Sequence, residues 1–276
     1  MNIHWFPGHM TKALRMIEKE IKIVDCVIYV LDARAPLSTI NPHFDRALGN
    51  KPRLYVLNKA DLVPAQGVEK WRAHFVSQGM RAIVTNSLSK AYANEIVKNL
   101  TELNAEMINR YALKGVKKTL KAMVIGCPNT GKSTLINSLA PEKKTVTGNR
   151  PGVTRGKQWV KIGEYLELLD SPGVLYPDFS NKKKAVNLAL IGSIKDEVVN
   201  ALELAVEGFK LLRISNEDEF KKRYSIDKDT PENEVLTQVA KARGFLLKGG
   251  EYDLDKASQG LISDIRKGYL GKFLLD

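Results

Sequence analysis

Two cysteines in 276 residues, Cys26 and Cys127, are too few for a disulfide framework. Both fall in or beside apolar strand candidates, which suits a reducing compartment. No apolar run approaches the length that crosses a bilayer. The opening Met-Asn-Ile-His-Trp-Phe-Pro-Gly-His-Met lacks a basic region followed by an apolar one, so it does not read as a secretory signal. A cytoplasmic protein with no membrane contact is the expectation. Zinc-ligand spacings, internal repeats and low-complexity tracts are missing as well. Acidic residues are in the minority, 31 against 43 Lys and Arg, for a net charge of +12. Residues 1–179 hold that excess, with 26 basic against 15 acidic side chains, while 180–276 carry 17 against 16. Such a balance points to a polyanionic partner, most simply nucleic acid.

What the chain does contain is a set of phosphate- and base-binding motifs in an unusual order. Asn58-Lys59-Ala60-Asp61 comes first, Gly126-Cys-Pro-Asn129-Thr130-Gly131-Lys132-Ser133 second, and Asp170-Ser-Pro-Gly173 third. The middle one fits G-x-x-x-x-G-K-[ST], whose backbone N–H groups cradle phosphates between a strand and a helix N-terminus. Lys132 is expected on the β- and γ-phosphates, Ser133 on Mg²⁺, and Asn129, Thr130, Gly131 and Thr134 around the nucleotide. An Asp carboxylate accepts from both N1 and N2 of guanine, a donor pair that adenine lacks, so Asp61 reads as the specificity residue. Asn58 is expected to brace the base and neighbouring loops, and Lys59 to pack along the base. Asn86-Ser87-Leu88-Ser89 follows another strand candidate and resembles the loop that meets guanine O6. Leu88 departs from the small residue usual there, leaving a backbone N–H to make the contact. Asp170 is expected to hold Mg²⁺ through water, and the Gly173 N–H to sense the γ-phosphate. A polar loop over 145–156 offers one more hydroxyl to the Mg²⁺ shell, with Thr154 preferred and Thr145 and Thr147 as alternatives. Together these motifs specify a GTPase whose segment order is permuted.

Coarse periodicity supports an α/β class. Helices near 10–22, 40–49, 66–78 and 90–111 alternate with strands at 24–31, 53–57 and 81–85. The phosphate-loop strand and a hairpin at 158–169 follow. The expected fold is a circularly permuted P-loop GTPase domain over 1–178, with a six-stranded, mostly parallel sheet covered on both faces. Wrapping from the DSPG region back to residue 10 restores the ordinary order, with 112–120 as the joining linker. Residues 179–276 show helical spacing without a strong strand and read as a small helical, RNA-binding domain. Its candidate helices are 181–191, 196–212, 218–224, 232–243 and 256–269.

The ordered motif set resembles the circularly permuted ribosome biogenesis GTPase A family. Trp5-Phe6-Pro7-Gly8-His9-Met10, Asp32-Ala33-Arg34 and Arg150-Pro-Gly-Val-Thr154-Arg155 extend the likeness across the chain. The resemblance implies binding of GTP and GDP, and hydrolysis that is slow alone and stimulated by a ribosomal particle. It implies a late precursor of the large subunit and its ribosomal RNA as partners, contacted through both domains. Many small GTPases place Gln after DxxG to orient the attacking water; Val174 stands there and cannot. The family-implied substitute is His9, carried on the N-terminal segment; as a purely structural residue it would stack on Trp5 or Phe6. Asn129 at its place in the phosphate loop resembles GTPases that bind K⁺ beside the nucleotide. Two other readings compete: a nucleotide-gated RNA-binding scaffold with negligible hydrolysis, and a GTPase linked to RNA modification.

Overall fold

The computed structural model describes residues 8–140, 158–176 and 181–276. Thr145, Thr147 and Thr154, with Trp5 and Phe6, lie outside the described residues. His9 falls in the first turn of a helix, but its side chain is likewise outside them.

Six apolar runs form one sheet: β1 (Cys26–Asp32), β2 (Arg53–Asn58), β3 (Arg81–Val84), β4 (Leu120–Ile125), β5 (Gln158–Ile162) and β6 (Leu166–Asp170). Their spatial order is β3-β2-β1-β4-β6-β5, with every pair parallel except the β5–β6 hairpin. β1 is buried along its whole length, as an inner parallel strand covered on both faces should be. The first half of the chain supplies α1 (Gly8–Glu20), α2 (Pro42–Leu48), α3 (Ala65–Ser77), α4 (Ala93–Leu103), α5 (Ala105–Ala112) and α6 (Lys132–Leu139). The helix expected over 90–111 is broken at Asn104, whose buried amide donates to the Leu100 carbonyl at 2.8 Å. That bond satisfies a carbonyl at the end of α4, so two helices meet where apolar spacing alone runs on.

The C-terminal portion is helical: α7 (Lys182–Leu190), α8 (Ala201–Leu212), α9 (Glu217–Tyr224), α10 (Glu232–Arg243) and α11 (Leu254–Arg266). The segment 196–212 divides because Asn200 caps α8, its side chain accepting from the Glu203 N–H at 3.2 Å. Asn181 and Asp253 cap α7 and α11 in the same way. The apolar core does not stop between residues 178 and 179. One continuous cluster runs from Tyr29, Leu31, Met123 and Leu169 on one sheet face to Leu188, Phe209, Leu261 and Ile265 in the helices. A second cluster on the other face joins Ile28, Val124 and Leu168 to α4 and α6. Among the described residues no helix is long and apolar enough to cross a membrane.

Candidate functional site

Because β1, β2, β3, β4 and β6 are parallel, their carboxyl ends gather at one edge of the sheet, where ligands of open α/β sheets bind. The loop after β4 and the N-terminus of α6 lie there. Gly131 adopts φ +94°, and a Cβ on it would sit 2.3 Å from Asn58 Nδ2. With glycine present, Asn58 reaches across and donates to the Thr130 carbonyl at 2.7 Å. Thr130 Oγ1 and Lys132 Nζ both donate to the Cys127 carbonyl, at 3.0 and 2.7 Å. Lys132 is thus held over the loop. Burial pushes its ammonium down to about 8, with the nearby Asp170 opposing the shift. A phosphate is the ligand that would make such a buried ammonium favourable.

Asn58 also accepts from Thr85 Oγ1, the Ser87 N–H and Ser87 Oγ, at 3.2, 3.0 and 2.7 Å. One amide therefore fastens the loop after β3 to the phosphate loop. Ser87 is buried, while Leu88 is exposed and its N–H donates to Asn86 Oδ1 at 3.0 Å. Asp61 is exposed at the same edge, in a single turn of 3₁₀-helix just after Lys59. Lys59 Nζ donates to the Asn129 carbonyl and pairs with Asp32 Oδ2 at 2.9 Å. Both partners of the first bond, Lys59 and Asn129, hold left-handed backbones, at φ 61° and 59°. Asp32 is also gripped twice by Arg34, through Nε at 2.9 Å and a terminal nitrogen at 2.7 Å. Burial works to raise the Asp32 pKa, but Arg34 and Lys59 outweigh it and hold the carboxyl well below the usual carboxylate range.

Two of the three residues expected at Mg²⁺ meet directly: Ser133 Oγ donates to Asp170 Oδ2 at 2.8 Å. A hydroxyl and a carboxylate suit a hard cation that takes its remaining ligands from phosphate and water. Gly173 passes so close to the phosphate loop that a Cβ there would lie 2.6 Å from Pro128 Cα and 2.9 Å from Lys132 Nζ. Its backbone is accordingly placed beside Lys132. Val174 is fully buried, and its N–H donates to the Gly126 carbonyl at 3.2 Å. Thr134 is half-buried in the first turn of α6.

Sequence reasoning missed the attachment of the helical portion to this site. Asn129 Nδ2 donates to the Gly192 carbonyl at 2.6 Å, and Ser193 Oγ to the Pro128 carbonyl at 2.8 Å. Arg34 donates to the carbonyls of Ile191 and Arg266 and lies 5.8 Å from the Phe273 ring centre. The C-terminal tail returns to the guanine motif, the Phe273 N–H donating to the Leu62 carbonyl at 3.1 Å. These contacts reach backbone carbonyls, which side-chain identity does not flag. Asp32-Ala33-Arg34 was visible as a motif, but nothing in its spacing revealed its partners.

The chain resembles known proteins along most of its length. Residues 121–238 match a family described as 50S ribosome-binding GTPase. The chain is 42% identical over 274 residues to "Ribosome biogenesis GTPase A" of Bacillus pumilus, covering 98% of this chain and 97% of the other. It is 38% identical over 210 residues to "Mitochondrial ribosome-associated GTPase 1" of Bos taurus, covering 73% and 63%. A crystal structure of GNP-bound YlqF from T. maritima superimposes with a TM-score of 0.70 at 27% identity, covering 96% and 97%. Matched along nearly its whole length, and with its guanine motif preceding its phosphate loop, the chain belongs to the ribosome biogenesis GTPase A family of circularly permuted GTPases.

Proposed function

We propose that this GTPase acts in the cytoplasm as an assembly factor in late maturation of the large ribosomal subunit, binding the precursor particle and its ribosomal RNA. The observation that supports it most is the convergence of Asn58, Lys59, Asn129–Ser133 and Asp170–Gly173 on one loop, in a chain of the family just described. Residues 1–178 form the GTPase unit in this reading, and residues 179–276 an RNA-binding one.

In hydrolysis a water attacks the γ-phosphorus and the bond to the β,γ-bridging oxygen breaks, giving GDP and phosphate. Guanine is held by Asp61, with Ser87 and the Leu88 N–H near O6; using that N–H requires Leu88 to leave or share its bond to Asn86. Lys132 and the loop N–H groups stabilise charge on the β- and γ-oxygens. Ser133 and Asp170 would hold Mg²⁺ with Thr154, and the cation would offset charge on those same oxygens. Gly173 offers its N–H to the γ-phosphate. Val174 is apolar and enclosed, so the water needs another polar group, and His9 on the first turn of α1 is our candidate. Asn129 is our candidate for binding K⁺ beside the nucleotide, through the carbonyl end of the amide whose nitrogen holds Gly192.

Sedimentation with large-subunit precursor particles tests the partner. The protein should pellet with particles in the presence of a non-hydrolysable GTP analogue, less so with GDP. Equal partitioning with both nucleotides, or none with either, would contradict the reading.

A further inference from the structure

At the opposite end of the sheet from the nucleotide, the linker that closes the permutation carries an unassigned surface. Residues 113–119 run from α5 to β4, and the β5–β6 hairpin turns beside them. Tyr111 at 39% and Tyr165 at 46% are open to solvent there, and Trp159 at 36% is open further along β5, opposite Leu169. Each has a lysine ammonium over its ring. Lys118 lies 5.5 Å from the Tyr111 centroid, Lys121 5.6 Å from Trp159, and Lys117 5.8 Å from Tyr165. Lys117 also donates to the Tyr165 hydroxyl at 3.3 Å. Lys121 belongs to an inner strand and is nevertheless exposed. Lys161 is exposed two residues from Trp159, on the same side of β5. Asp25 is paired with Lys118 at 2.9 Å, and Glu167 stands in register between Lys121 and Lys161.

Exposed rings interleaved with ammonium groups match the chemistry of unpaired RNA better than that of an acidic protein. Bases stack on aromatic faces and phosphates meet the cations, whereas an acidic peptide needs only the charges. Lys117 and Tyr165 lie at the amino end of β4, whereas Trp159 stands in register with Leu169, one residue before Asp170, so the surface extends along β5 toward the nucleotide end. We propose that Lys117, Lys121, Trp159, Lys161 and Tyr165 form a docking face for a single-stranded segment of ribosomal RNA, with bases stacked on Trp159 and Tyr165. The proposal rests on the RNA-binding reading above and specifies where the GTPase unit makes its contact.

The test uses the full chain with Trp5 and Trp71 changed to Phe, so that Trp159 alone reports, titrated with large-subunit ribosomal RNA and with poly(U). Trp159 emission should be quenched by both. Trp159→Ala in the otherwise native chain should weaken RNA binding about tenfold, and Trp159→Phe should retain most of it. Lys117→Ala and Lys121→Ala should each lower the salt slope by about 0.7. GTP affinity, unchanged in every variant, certifies the fold. Wild-type binding with no change in any variant would place the RNA contact elsewhere and overturn this proposal alone. Loss of particle binding with unaltered binding to naked RNA would assign the face to a protein and overturn it too. Absence of RNA binding by the wild type would remove both this proposal and the reading beneath it.

Discussion

Asn129 donates from its side-chain nitrogen to the Gly192 carbonyl at 2.6 Å, tying the phosphate loop to the turn that follows α7. Ser193 holds the neighbouring Pro128 carbonyl, so two consecutive residues of the loop are fastened to the helical portion. If Asn129 also serves K⁺, hydrolysis should be faster in K⁺ than in Na⁺ at equal ionic strength, and Asn129→Ala should erase the difference. Phosphate release in matched salts is the measurement, and equal wild-type rates would remove potassium from the account.

Asp32 joins the guanine motif to the helical portion, since it holds both Lys59 and Arg34. Asp32→Asn would leave two cations facing a neutral amide in a buried place, a loss of about 3–5 kcal/mol by analogy with other broken buried pairs. Its folded pKa is depressed, so its stabilising contribution is fully present above the ordinary carboxylate pKa of about 4 and fades as pH falls toward the folded value. Urea titrations of wild type and variant should therefore differ most at neutral pH and converge in strong acid. A pH-independent gap would show that Asp32 acts through packing rather than charge.

Asp61→Asn should weaken GTP binding and admit xanthosine triphosphate, because an amide donates to the xanthine 2-oxo group where a carboxylate cannot. Competition titrations decide it. Normal GTP affinity in the variant would move the specificity role off Asp61.

Much of this site was legible because its chemistry requires particular side chains at fixed spacing. Ser133 meets Asp170 and Asn58 reaches the phosphate loop at Thr130, and apolar runs of strand length located all six strands. The start of the helix capped by Asn181 was readable, whereas the caps at Asn200 and Asp253 were missed by the expected bounds 196–212 and 256–269. The break at Asn104 was not readable either, because amphipathic spacing continues through it while a single buried amide ends the hydrogen-bond ladder. Arg34 was beyond reach for another reason. Its partners at Ile191 and Arg266 lie 157 and 232 positions away and offer only backbone carbonyls.

The enclosure of Val174 sharpens the expectation for His9. His9→Ala should reduce particle-stimulated kcat while leaving GTP affinity and particle binding nearly intact, since a water-positioning group acts in the transition state. Single-turnover hydrolysis at saturating particle distinguishes the roles. Unchanged rates would retire His9 from catalysis, and lost particle binding would make it an anchor instead.

The central claim is that this nucleotide site is completed on the ribosomal particle. Phosphate release from GTP, measured under single turnover with and without large-subunit precursor particles, addresses it most directly. The account predicts slow release by the free protein and a rate at least about tenfold higher with particles, a barrier change of about 1.4 kcal/mol. The same rate in both conditions would contradict it.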